Sequence, residues 1–216
     1  MNRQPLLPPM ENLKKALKSI LSGGFSISDI SDIAHILFLF LRKERVDYEE
    51  VATVVSGSVD ETLLALWEWK FVIPVRSSQC SEWDFRILMA ESGEYYEMPN
   101  ISKSLIQKGV ETGRWDSFAA ILDLFQKIGE PEWEKIPELV LSIKKDTIHN
   151  TINATKIRAA CTRCGLREKT GAMIAVLKGA GIISPKMAAV SPVAKSRSPV
   201  YEFNPSVYAE LLPNSL

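Results

Sequence analysis

Apolar residues recur along this chain mostly at the spacing of helix faces. Leu13, Leu17, Ile20 and Leu21 share one side of a predicted helix over residues 10–22, with Lys14, Lys15 and Lys18 elsewhere, and Gly23-Gly24 stops it. Ser28 to Arg42 predicts a second helix, with Ser28 as its cap and Asp29 and Asp32 in its first turn. Its run from Ile33 to Leu41 is apolar nearly all round, the pattern of a helix buried on most sides, and His35 within it reads as a core histidine. Asp47 to Val55 predicts a third helix with Val51, Val54 and Val55 inward. Ser58 and Glu61 have capping-box spacing before a helix carrying Leu63, Leu66, Trp67 and Trp69. Phe71–Arg76 and Trp83–Met89 are β-like in composition, with a polar turn between them.

The middle of the chain predicts helices over residues 101–110 and 114–128. The second places Phe118, Ile121, Leu122 and Phe125 on one face, and Gly129 ends it. Pro137 starts or kinks a further helix whose inward residues are Leu139, Val140, Ile143 and Ile148. The C-terminal part then repeats the earlier order. A helix from Ala154 to Cys164, capped by Asn153 or Thr155, ends at Gly165. A second from Arg167 to Ala180 is anchored by Met173, Ile174 and Leu177. A strand begins at Ile182-Ile183, a basic loop of small residues spans 187–198, and Val200–Phe203 is the returning strand. Val207 to Leu212 predicts a short closing helix. The segments 72–88 and 182–203 are each expected to form a two-stranded antiparallel ribbon.

Composition changes this picture little: 46% apolar and 24% charged residues are ordinary values for a chain that buries a core. Charge changes it more. The net charge is zero, but residues 1–100 carry −5, residues 101–150 carry −1 and residues 151–216 carry +6. A basic segment attracts polyanions and an acidic one does not. The longest uncharged apolar stretch has nine residues, far short of the roughly 20 of a membrane span. With no signal-type apolar run and only three cysteines, the expectation is a cytoplasmic chain away from membranes.

Lys156-Ile157-Arg158-Ala159-Ala160, then Gly165-Leu166, Ile174–Leu177 and Gly181–Pro185, resemble the winged-helix form of helix-turn-helix. Leu63, Leu66 and Phe71–Pro74 carry a weaker match. The resemblance implies a mostly helical α+β chain. An N-terminal helix (1–24) precedes an acidic winged-helix domain (25–98). A helical connector (99–130) leads to a basic winged-helix domain (131–216). It also implies a transcriptional regulator that binds double-stranded DNA through the basic domain, while the acidic domain meets a protein partner or a second copy. The expected contacts are Lys156, Arg158, Arg163, Arg167, Lys169 and Thr170 around the turn, with Lys186, Lys195 and Arg197 in or beside the loop. In base-reading members the outward middle of the second helix carries polar side chains; here it falls on Gly171 and Ala172, so phosphate contact is expected to dominate.

The competing reading is a winged-helix docking module or assembly subunit that binds no DNA. A third is a redox-sensing regulator built on Cys161 and Cys164. That pair is a CxxC, but it has no second ligand pair for zinc and extends a helix rather than following a strand, so structural thiols are expected. No phosphate-binding glycine loop and no nucleophile–base arrangement appears in the sequence; the chain is read as a non-enzyme without metal or cofactor.

Overall fold

The computed structural model describes residues 9–75, 82–83, 86, 88–186 and 198–208. Helix α1 (Pro9–Leu21) turns Leu13, Ala16, Leu17 and Leu21 inward, as its period dictates. Helix α2 (Ile27–Phe40) begins three residues after Gly24. Its cap is Ser26, not Ser28: the Ser26 hydroxyl accepts from the Asp29 amide, and the Asp29 carboxylate accepts from the Ser26 amide at 2.7 Å. Asp29 is the acid that suits position three after Ser26, and that reciprocity fixes the register. Ser26→Ala is therefore expected to cost about 1 kcal/mol in chemical denaturation, and Ser28→Ala close to nothing. Equal losses would refute this cap assignment.

The chain next forms a strand that the helical pattern concealed, β1 (Arg45–Asp47). Asp47 ends that strand and caps helix α3 (Tyr48–Ala52) through a capping box with Glu50, so the predicted helix over 47–55 is shorter. Ser58 caps α4 (Val59–Glu68) by accepting from the Glu61 amide, which is half of the expected box. Strand β2 (Ile73–Pro74) follows. Its partner is not in 83–89, where the described residues are not strand, but is β3 (Tyr95–Glu97). The sheet has three strands in the order β1-β3-β2, with Val46 opposite Tyr96 and Pro74 also opposite Tyr96.

Helices α5 (Asn100–Thr112) and α6 (Ser117–Lys127) come next. In α6 the buried face is Ser117, Ala120, Ile121 and Phe125, while Phe118 is exposed, contrary to the predicted face. Asp116 caps the helix, its carboxylate accepting from the Ala119 amide at 2.8 Å. Helix α7 (Ile136–Lys145) buries Leu139, Val140 and Ile143; Ile148 lies beyond its end and is exposed.

The second half repeats the order of the first. Strand β4 (Thr151–Asn153), also unpredicted, ends at the Asn153 that caps α8 (Ala154–Arg163). A single 3-10 turn (Arg167–Lys169) leads into α9 (Thr170–Gly179). Strands β5 (Ile183–Pro185) and β6 (Val200–Phe203) complete a second three-stranded antiparallel sheet, β4-β6-β5. Both halves thus run helix, strand, helix, helix, strand, strand; the ribbon expected over 182–203 gains a third strand from just before a helix, whereas the strand expected at 83–89 is replaced in its sheet by Tyr95–Glu97. The short helix α10 (Pro205–Tyr208) ends the described chain. The protein is α+β and mostly helical, with two small sheets. No described helix is long and apolar enough to cross a membrane.

Buried side chains from Leu13 to Val207 form one contiguous cluster. A polar junction crosses it. Lys70, in the turn after α4, has φ of 53° and is buried. Its ammonium lies 4.0 Å from the Trp67 ring centroid and 3.9 Å from Glu202 on β6. Its carbonyl accepts from the Ser102 hydroxyl of α5 at 3.0 Å. Asn204 donates to the Gly181 carbonyl at 2.9 Å and accepts from the Ser206 amide and hydroxyl. The Trp115 indole donates to the Ser206 carbonyl at 3.0 Å. The amide of Trp83 donates to the Ser184 hydroxyl, also at 3.0 Å.

Candidate nucleic-acid interface

The predicted contact residues cluster on α8, the 3-10 turn and α9, because one glycine and one leucine build the corner. Gly165 takes φ of 70°, where a side chain would be strained, and Leu166 is buried. The Leu166 amide donates to the Cys161 carbonyl at 2.7 Å, which closes α8. Ile157, Ala160 and Cys161 anchor α8 to the core, and Met173 and Leu177 anchor α9. These anchors turn Arg158, Thr162 and Arg163 outward from α8, and Gly171, Ala172, Ala175, Lys178 and Gly179 outward from α9.

The cations are not equivalent. Lys156 is half-buried and its ammonium donates to the Asp146 carbonyl at 3.1 Å. Arg163 reaches back to α7: it donates to the Ser142 hydroxyl at 2.9 Å and to the Asp146 carboxylate at 2.5 Å. Lys169 is paired with Glu132, which also binds Lys135. Those two ammonium groups hold the Glu132 carboxyl down at about 2. Arg167 has only a loose contact, 3.9 Å, with the exposed Glu168. Arg158 is exposed, and Lys186 half-buried; neither has an ion-pair partner among the described residues. The Thr170 hydroxyl donates to the Arg167 carbonyl at 2.6 Å, so it fixes the start of α9. Lys195 and Arg197 lie outside the described residues; Ser198 meets Thr155 at the start of α8.

Lys178 is a cation that sequence reasoning missed. It is exposed on the same face as Gly171 and Ala175, and the spacing 171, 175, 178 was the available signal. The exposed face of α9 is low, made of Gly171, Ala172 and Ala175 with Lys178 on it, and Arg158 and Arg167 are exposed on the neighbouring α8 and 3-10 turn.

Cys161 is fully buried and Cys164 half-buried. Burial pushes both thiols up; the Thr170 hydroxyl partly offsets this at Cys161, while Glu138 adds to it at Cys164. A thiol held above its ordinary value carries less thiolate near neutral pH, and thiolate is the nucleophile. In a Cys80→Ser background, iodoacetamide at pH 7.5 is expected to modify the native protein more slowly than free cysteine. Rapid alkylation of either thiol would favour the redox reading. Among the described residues no group of three or more His, Cys, Asp or Glu could hold a metal ion.

Residues 12–212 match the model of an uncharacterised protein family. No curated protein matches the chain. No solved structure matches it either.

Proposed function

We propose that the chain, which belongs to that family, is a tandem winged-helix protein that binds double-stranded DNA as a transcriptional regulator. The binding unit is the basic half, residues 131–216, and it acts in the cytoplasm without catalysis. The observation that carries the reading is the outward ridge of α9. Gly171, Ala172, Ala175 and Gly179 let the helix backbone lie close to a groove, while Arg158, Arg167 and Lys178 stand exposed around it to meet phosphates. Such contacts set register and supply salt-dependent affinity but little sequence choice. The order helix, strand, helix, helix, strand, strand, with its three-stranded sheet, supports the winged-helix reading.

The acidic half, residues 25–98, has the opposite character. Its corresponding helix α4 exposes Asp60, Glu61, Leu64 and Glu68, a surface that repels a phosphate backbone and suits a protein contact, including a second copy. One observation favours the alternative, a docking module without DNA: Arg163 and Lys169 are already engaged by carboxylates of the same chain. Duplex binding measured by anisotropy at several salt concentrations separates the two. Salt-sensitive binding supports the regulator; no binding at low salt supports docking.

A further inference from the structure

A groove of about 750 Å³ runs between α5, α6 and α9. The Ser104 hydroxyl of α5 donates to the Ala120 carbonyl of α6 at 2.8 Å, and Lys108 pairs with Asp123. Lys103 of α5 and Lys127 of α6 both line the groove. The C-terminal turn of α9 meets the start of α5, where Ala180 accepts from the Ile101 amide at 2.9 Å and Gly179 accepts from the Asn100 amide group at 3.3 Å.

The walls are of two kinds. Leu124, Val176 and Ile128 form an apolar side, and Ile128 is 59% exposed. Lys108 is neutralised by Asp123 and Glu111. Lys103 and Lys127 have no ion-pair partner among the described residues. An apolar wall and two uncompensated ammonium groups lining one groove fit a ligand with an apolar body and an anionic group. The volume lies within the range of about 300–1,000 Å³ usual for small-molecule sites. A bare inorganic anion would leave the apolar wall wet, and a neutral apolar ligand would leave both ammonium groups unused.

We propose that this groove binds a small amphipathic carboxylate, its apolar body on Leu124, Ile128 and Val176 and its carboxylate on Lys103 and Lys127. The site stands on its own observations. Because Val176 and Gly179 belong to α9, an occupant touches the helix assigned above to DNA, and any effect on duplex affinity rests on that reading.

The test uses the full chain without DNA and anilinonaphthalenesulfonate as a fluorescent amphipathic anion, with decanoate as competitor. One saturable probe site per chain, displaced by decanoate, is expected. Gly179 has no atom near the position of an added Cβ, so Gly179→Leu fills the groove without displacing the core; it is expected to abolish probe binding without lowering the melting temperature. The double variant Lys103→Gln with Lys127→Gln keeps the groove open and should weaken the probe about tenfold, the scale of a lost charge-assisted contact. Binding that decanoate does not displace, or that the double variant leaves unchanged, overturns the proposal. So does binding that persists in a folded Gly179→Leu. None of these outcomes depends on whether the chain binds a duplex.

Discussion

Raising monovalent salt from 50 to 200 mM is expected to weaken duplex binding by about 40- to 500-fold. The figure follows from three to five phosphate contacts, each contributing about 0.9 to the slope of log K against log salt. Arg158→Ala, Arg167→Ala and Lys178→Ala should each lower that slope by about one and weaken all duplexes alike, because these side chains are exposed beside a helix with little to offer base edges. Arg163→Ala and Lys169→Ala should act less, since Asp146 and Glu132 already compensate their charge. Glu132→Gln should then strengthen binding by releasing Lys169. Fluorescence anisotropy with two unrelated duplexes measures every one of these effects. A flat salt response, or a variant that loses one duplex and keeps the other, would contradict phosphate-dominated binding.

Gly181→Ala is expected to destabilise the protein by about 2–5 kcal/mol. Two effects combine. Gly181 has φ of 74°, which costs an alanine about 1–2 kcal/mol. A Cβ built there would also lie 2.6 Å from the Pro99 Cβ, a ring atom that cannot swing away, and such overpacking costs about 1–3 kcal/mol. Gly129→Ala separates the two: Gly129 has φ of 76° but nothing within 4 Å of the added carbon, so only the backbone strain remains. Gly171→Ala, with open space and no positive φ, should instead stabilise α9 slightly. Urea denaturation of the three variants gives the series. Equal losses for Gly181→Ala and Gly129→Ala would show that contact with Pro99 is not what makes glycine necessary.

The long amphipathic helices were legible in the sequence because their burial is set locally, by the 3.6-residue period of Leu13 and Leu17 or of Met173 and Leu177. Strands β1 and β4 were not. Each has three residues and ends in the residue that caps the next helix, Asp47 or Asn153, so the helix signal overwrote the strand. Strand β3 was misplaced for a different reason. Trp83–Met89 has strand composition, yet Tyr95–Glu97 supplies the pairing, and composition carries no information about partners. At the candidate interface the sequence identified the corner and its cations but not their engagement. Arg163 meets Asp146 17 residues away and Lys169 meets Glu132 37 residues away, relations that only the folded chain creates.

The polar junction around Lys70 and Asn204 has a thermodynamic consequence. Cutting the chain near residue 130 would divide the cluster that runs from Leu13 to Val207 and strip Lys70, Ser102 and Trp115 on one side from Asn204, Ser206 and Glu202 on the other. Each fragment would expose apolar surface and buried polar groups with half their partners gone, and each such unmet group costs about 1–3 kcal/mol. The repeated order of elements therefore does not make two independent folding units. The whole chain should melt in one calorimetric transition, with equal calorimetric and van't Hoff enthalpies. The acidic and basic surfaces, joined this way, are held at one fixed separation like the jaws of a caliper, so whatever meets one is positioned relative to whatever meets the other.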